Sequence, residues 1–274
     1  MNCPRLLTVV IALLAASRVG TAQSAARTVN VGPVQSPSLL QQAVPFEGEW
    51  RIVATQHFDI AFVAIAAADL ERIADVAERT YRRTSGRLAH ELSFRPLIVV
   101  FRTRADLNRA IASRTFPGNR EHLLLALDDP AAQTEGDFAH ELMHVFAFDI
   151  VPPSARRDLP GWLHEGFAEL ERGTWAESDL RIVRDLLRAN TLPTLGRLPR
   201  EGSADSTRLH TIIGHLAFDF LAARGGMEAI KKVLVSLRDD VSSTPMDAYL
   251  AAIGLASTEF DREFERWVRS RFAA

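Results

Sequence analysis

The sequence predicts an α+β fold, with a small mixed sheet and helices in residues 46–133 and a mainly helical half in residues 134–274. Short segments rich in β-branched and aromatic residues occur in the first part, whereas apolar residues at helical spacing dominate the second. The composition, with 47% hydrophobic and 24% charged residues, is typical of a globular protein and excludes a collagen-like or wholly disordered chain.

The strands and helices of the first part follow from local composition. Trp50 to Val63 predicts one or two strands, and Leu97 to Phe101 and Leu123 to Leu127 predict one strand each. Apolar residues at intervals of three and four predict a long helix over 69–88 and a short helix over 104–113.

Seven helices are expected in the second part, because the same helical spacing of apolar residues recurs there. Proline and glycine residues between Asn190 and Asp205 predict a long loop among them. The predicted helices cover about 134–149, 160–172, 176–189, 207–224, 226–238, 244–253 and 258–272.

The beginning of the chain predicts a targeting segment. Arg5 precedes an apolar run from Leu6 to Ala16, which is too short to span a bilayer but is typical of a secretory signal peptide. Small residues then favour cleavage after Ala22, so residues 1–22 are interpreted as the signal peptide. Residues 23–45 are rich in Gln, Ser, Pro and Ala and are interpreted as a flexible linker. An uncleaved membrane anchor and a buried helix are the alternatives for residues 1–22.

Charge and cysteine content exclude several classes of function. The formal net charge is −2, and it becomes −4 once the two arginines of residues 1–22 are removed, so no nucleic-acid partner is indicated. The single cysteine, Cys3, excludes a disulfide scaffold and a zinc site made of thiolates. Any metal site in the mature chain must therefore consist of imidazole and carboxylate groups.

The segment His140-Glu141-Leu142-Met143-His144 forms an HExxH motif within the predicted helix 134–149. Residues four apart lie on one helix face, so the two imidazoles can converge on one metal ion. Glu141 follows the first histidine and can act as a general base toward a water on that metal. The alternative is a pair of helix-surface histidines that bind no metal, and a second feature is needed to decide.

That second feature is the segment Leu159–Glu169, which reads LPGWLHEGFAE. A catalytic zinc site uses three protein ligands and leaves one position open. A helix that begins near Pro160 can return antiparallel to the HExxH helix and offer Glu165 as the third ligand. A glycine inside a helix is unfavourable by about 1 kcal/mol relative to alanine, so Gly166 predicts a close approach of two helix backbones.

HExxH followed by W-L-x-E-G-F-A-E resembles the gluzincin metallopeptidases, in which two histidines and a glutamate hold zinc. The sequence is most similar to the thermolysin-like peptidase MA-like domains of exported bacterial proteins, and the M1 aminopeptidases have a related W-L-N-E-G-F-A signature. Weaker similarity in the flanking segments extends the resemblance over residues 46–274. The G-A-M-E-N segment that anchors exopeptidase substrates in the M1 enzymes is absent from this sequence.

The resemblance implies a site for one zinc ion, Zn²⁺, held by His140, His144 and Glu165, with Glu141 as the general base. Twenty residues separate His144 from Glu165, where the M1 enzymes have eighteen, and the intervening loop can absorb the difference. Glu169 lies one turn after Glu165 and is a candidate for orienting a ligand histidine. A plain exposed helix glutamate is the alternative for Glu169.

Three further histidines bear on this site. His164 stands where the M1 signature has asparagine and could compete as third ligand, but adjacent helix residues point about 100° apart, and the downstream pattern favours Glu165. Gluzincins usually provide a tyrosine or histidine that stabilises the tetrahedral intermediate. His210, at the start of the helix after the long loop, is the candidate for that role. His215 is expected to be structural.

The leader and the resemblance together predict an exported, periplasmic or secreted zinc metallopeptidase that acts on a peptide or protein substrate. The strand Leu123 to Leu127 could bind an extended peptide by strand addition. The alternatives are a zinc-binding interaction module without catalysis, a zinc amidase that acts on cell-wall peptide, and a metal-free helical domain. No stable membrane span is predicted after removal of the signal.

Overall fold

The computed structural model describes residues 50–112, 122–127, 134–152, 159–199, 203–240 and 244–272. The predicted signal peptide, 1–22, and linker, 23–45, lie outside the described residues. The chain divides into two compact units: the described residues of one lie within 1–78 and 95–132, and those of the other within 79–94 and 133–274. In the described ranges, no helix has both the length and the apolar content needed to cross a membrane.

The first unit is built on a four-stranded mixed sheet, so the predicted α+β class is confirmed. The strands are ordered along the sheet as in the sequence; the first two are antiparallel, and the second, third and fourth run parallel. The segment predicted as one or two strands forms two. In chain order the strands are β1 (Arg51–Ala54), β2 (Asp59–Phe62), β3 (Leu97–Phe101) and β4 (His122–Ala126).

The strand β3 forms the centre of this unit's core. Ile98, Val99 and Val100 are all buried, so side chains on both faces of the strand are covered. A continuous apolar run is what a parallel strand buried on both faces requires, and it explains why this strand could be predicted without alternation. Two helices also belong to this part of the chain: the beginning of α1 (Ala67–Leu88) and α2 (Arg104–Ala112).

The second unit is helical and also contains the end of α1, because the boundary between the units falls after Glu78. Its elements agree with the predicted helices to within a few residues. They are α3 (Glu135–Ile150), α4 (Gly161–Arg172), α5 (Glu177–Arg188), α6 (Ala204–Asp239), α7 (Pro245–Ile253) and α8 (Ser257–Phe272). The predicted long loop contains a short 3₁₀ turn at Leu195–Arg197.

The helix α6 contains both helices that were predicted over 207–224 and 226–238. They meet at Gly226, where a φ of 62° and a ψ of −161° interrupt the helical backbone. Only glycine adopts this region readily, because it has no Cβ atom. The separation of the two predicted helices is therefore confirmed as a kink and not as a loop.

The helices α4 and α6 cross with their backbones in contact. A Cβ atom at Gly166 would lie 2.6 Å from the carbonyl oxygen of Gly214, and one at Gly214 would lie 2.1 Å from the carbonyl oxygen of Trp162. Neither position has room for a side chain. The close helix approach predicted from Gly166 is thus confirmed, and α6 is the helix that approaches.

Ion pairs to a buried glutamate connect α1 to α4 within the second unit. Glu171 is only 5% exposed, and it accepts a hydrogen bond from Thr84 and pairs with Arg83 and Arg87, which lie on the last turns of α1. A buried carboxylate requires such partners to remain charged. These contacts fix the orientation of α4, the helix that carries Glu165.

Candidate metal centre

The helix α3 presents both histidines of the HExxH motif on one face. Thr134 is its N-cap, and the Thr134 hydroxyl accepts a hydrogen bond from the Asp137 backbone at 3.1 Å. This cap fixes where the helix begins. One turn further on, the Nε2 atoms of His140 and His144 lie 3.2 Å apart. His140 is 6% exposed, so this pair is directed into the protein.

The helix α4 brings Glu165 to the same place. Its Oε2 lies 3.7 Å from Nε2 of His140, and its Oε1 lies 3.7 Å from Nε2 of His144. One ligand atom from each of the three residues lies within 4.8 Å of the others, so the group could hold a metal ion. The two segments that the sequence singled out therefore meet in space.

The electrostatics of Glu165 favour a charged carboxylate. Burial by itself raises the pKa of this carboxyl group, but the hydrogen bond with His164 and the charges of His144, His164 and His140 together lower the pKa to about 2. An ionised carboxylate is the form that coordinates a cation.

His164 lies beside the group that could hold a metal. Its Nδ1 is 3.2 Å from Oε1 of Glu165, and its ring centroid is 5.5 Å from that of His144. The three-residue group contains Glu165 and not this neighbouring histidine. The placement agrees with the expectation that only one of two adjacent helix residues faces the metal.

Glu169 lies behind His140. Its carboxylate Oε1 is 3.3 Å from Nδ1 of His140, at an angle too poor for a full hydrogen bond. Glu169 is 6% exposed, so the alternative of a plain exposed glutamate does not describe its position. The sequence reasoning missed Arg172, whose Nη1 donates to both oxygens of Glu169 at 3.0 Å. The spacing of three residues on one helix was the signal that could have identified this pair.

Glu141 follows His140 on α3, and its side chain is exposed. A general base must be reachable by solvent and substrate, so exposure is compatible with the role that the resemblance implies.

The candidates for stabilising an oxyanion are hydrogen-bonded to other groups. Nε2 of His210 lies 2.7 Å from the carbonyl oxygen of Pro199; a carbonyl can only accept, so Nε2 carries the hydrogen. Tyr81 donates to Glu91 at 2.8 Å, and the buried Tyr249 donates to the Ala217 carbonyl at 2.6 Å. These contacts leave the role of His210 a prediction.

His215 is buried in a stack with Trp175. The two ring centroids lie 3.8 Å apart and the planes are 1° from parallel. Burial lowers the pKa of His215, which favours its neutral form. The indole of Trp175 donates to Asp219 at 3.0 Å. This packing agrees with the expectation of a structural histidine.

Comparison of the sequence with known proteins does not identify a family. No protein-family model matches the chain, and no curated protein matches it significantly. The resemblance to gluzincins therefore stays a prediction.

Proposed function

We propose that this chain is an exported zinc metallopeptidase. The observation that carries the proposal is the convergence of His140, His144 and Glu165 from two helices into one group that could hold a metal ion. The proposal adds zinc as the metal, hydrolysis as the reaction and peptides as the substrate.

The spacing of the ligand atoms supports a small ion with tetrahedral coordination. Zinc bonds of about 2.0–2.2 Å in a tetrahedron separate neighbouring ligand atoms by roughly 3.3–3.6 Å. The two Nε2 atoms lie 3.2 Å apart and each lies 3.7 Å from a different oxygen of Glu165, and one ligand atom from each residue lies within 4.8 Å of the others. A tetrahedral site therefore requires the Glu165 carboxylate to turn so that one of its oxygens approaches both nitrogens.

The donor set also supports zinc. Two imidazole nitrogens and one carboxylate are the ligands of many hydrolytic zinc sites, which leave a fourth position open. Calcium and magnesium prefer oxygen ligands only, so two histidines disfavour both. When bound at such a site, zinc supplies Lewis-acid chemistry that lowers the pKa of water toward 7 and polarises a carbonyl group.

The protein groups around the site supply proton transfer and orientation. Glu141 would take the proton of the attacking water and deliver it to the leaving amine. His140 must offer the Nε2 lone pair, so its hydrogen belongs on Nδ1, the atom that faces Glu169. The residues of this chain thus match the roles of base, ligands and orienting group.

A zinc-binding interaction module without catalysis is the second candidate. It is favoured by one observation: the two tyrosines of the described chain and His210 are each hydrogen-bonded to another protein group. A peptidase requires some donor to stabilise the tetrahedral intermediate. The two candidates share the metal site and differ only in turnover.

Turnover of an unfolded protein substrate distinguishes these candidates. We expect wild-type protein to hydrolyse the substrate and Glu141→Gln to retain its metal but to be slower by about 10²–10⁴-fold, the usual contribution of a general base. Glu71→Gln is the matched control, because it makes the same chemical change at an exposed helix position of α1. Equal rates for wild type and Glu141→Gln would refute the mechanism, and a metal-loaded wild type without turnover would favour the interaction module.

A further inference from the structure

We propose that Arg172 is a positioning residue of the metal centre, which acts through Glu169 to hold the imidazole of His140 in place. The inference rests on the proposed metal site and names a residue outside the HExxH and WLxEGFAE segments. Arg172 is the last residue of α4.

Arg172 connects two carboxylates on different helices. Its Nη1 donates to both oxygens of Glu169 at 3.0 Å, and its Nε lies 3.2 Å from Oδ1 of Asp137. Asp137 belongs to the first turn of α3, three residues before His140. The guanidinium therefore spans from the helix that carries Glu165 back to the helix that carries the two histidines.

Glu169 needs this positive charge because it is buried. Its side chain is 8% exposed, and an ionised carboxylate in such surroundings is costly without a charged partner. Within the described residues, Arg172 is the cation that donates a hydrogen bond to each oxygen of Glu169. Removal of the guanidinium would take both of these hydrogen bonds away from Glu169.

The position of Glu169 matters because its Oε1 faces Nδ1 of His140 at 3.3 Å. A histidine that binds a metal through Nε2 carries its hydrogen on Nδ1, and an acceptor at that atom sets both the tautomer and the ring orientation. Close contacts thus run from Asp137 through Arg172 and Glu169 back to His140 on the same helix. Arg172 and Glu169 are joined by hydrogen bonds, whereas the contacts at the two ends are close approaches without hydrogen-bond geometry.

The backbones of α3 and α4 approach closely beside Arg172. A Cβ atom at Gly136 would lie 3.0 Å from the carbonyl oxygen of Arg172, so the start of α3 and the end of α4 touch closely. The two helices are antiparallel: Gly136 near the start of α3 meets Arg172 at the end of α4, and His144 further along α3 meets Glu165 earlier in α4. The antiparallel arrangement brings Arg172 within reach of the turn before His140.

Zinc affinity of the full-length protein tests the proposal directly. We expect Arg172→Gln to raise the Kd for zinc by about 10–100-fold, the usual effect of removing an outer partner of a ligand histidine. Arg172→Lys keeps the charge but not the fork of donors, so it should lose less affinity. Arg188→Gln is the matched control: Arg188 also ends its helix and pairs with the acidic residue three positions earlier, but both side chains are more than 70% exposed. Its Kd should stay within twofold of wild type.

A double-mutant cycle separates positioning from a general loss of structure. If Arg172 acts through Glu169, Arg172→Gln should weaken zinc binding much less in a Glu169→Gln background than in wild type. Additive effects, or an unchanged Kd in Arg172→Gln, would overturn the proposal. If Arg172→Gln does not fold, the Kd of Arg172→Lys for zinc decides between the outcomes. A Kd equal to that of wild type would show that the fork of donors is not needed, and it would overturn the proposal. If the wild type binds no zinc, the metal site itself is refuted. That outcome differs from failure of the present inference, in which the wild type binds zinc and Arg172 does not affect the Kd.

Discussion

Replacing Gly214 by alanine would place a methyl group where the backbones of α4 and α6 touch. Its Cβ would lie 2.1 Å from the carbonyl oxygen of Trp162 and 3.1 Å from the backbone nitrogen of Gly166. Ordinary van der Waals contact begins at 3.4 Å, so the carbonyl and the methyl must separate by about 1.3 Å. Because the obstructing atom is backbone, no change of rotamer relieves the clash, and the helices themselves must move.

The expected free-energy change follows from two opposing effects. Overpacking of this kind is unfavourable by about 1–3 kcal/mol, and a clash with backbone belongs at the upper end. The better helix propensity of alanine offsets about 1 kcal/mol. Gly214→Ala should therefore lower the free energy of unfolding by about 2 kcal/mol.

The same substitution should weaken metal binding. Glu165 precedes Gly166 and moves with α4, and metal–ligand distances tolerate shifts of only about 0.2 Å. Urea denaturation of the metal-free protein and a zinc titration measure the two effects separately. Gly86→Ala is the control, because a Cβ at that helical glycine meets nothing within 4 Å. It should stabilise the protein by up to about 1 kcal/mol. A Gly214→Ala protein with wild-type stability and wild-type zinc affinity would refute this account of the helix crossing.

Two further predictions concern the scaffold. Burial raises the pKa of Asp149, but hydrogen bonds from Ser93 and His90 outweigh it, so the pKa is lowered on folding. The stability that the ionised Asp149 contributes is present above the unfolded pKa of about 3.9 and is lost as the pH falls through the folded pKa. In urea denaturation, the difference in unfolding free energy between wild type and Asp149→Asn should therefore shrink below about pH 4. A difference that does not depend on pH would contradict a lowered pKa for Asp149. Tyr249→Phe removes the donor to the Ala217 carbonyl and should lower the free energy of unfolding by about 1 kcal/mol in the same assay, whereas an unchanged value would show that this hydrogen bond does not stabilise the fold.

The elements that could be predicted from the sequence are those that local patterns determine. The strand Leu97–Phe101 was predicted with its observed bounds, because a short apolar run after Pro96 has few other interpretations. The face shared by His140 and His144 follows from helix geometry alone. Gly166 indicated a close helix contact, since a glycine inside a helix is unfavourable without a packing reason.

The features that could not be predicted depend on contacts between distant segments. Gly166 did not identify its partner Gly214, which lies on α6 and approaches only in the folded chain. The bridge from Arg172 to Asp137 depends on the antiparallel arrangement of two helices. For His210, a resemblance suggested a role, whereas the structure shows its Nε2 bonded to Pro199.

Zinc content of the purified protein tests the central claim most directly. The account predicts one zinc per chain in the wild type and in Glu141→Gln, because Glu141 is not a ligand. Substitution of His140 by alanine removes one of three ligands, so His140→Ala should lose zinc while the exposed control Arg188→Gln keeps it. A wild-type protein that takes up no zinc, or a His140→Ala protein that holds as much zinc as the wild type, would contradict a metal centre built from His140, His144 and Glu165.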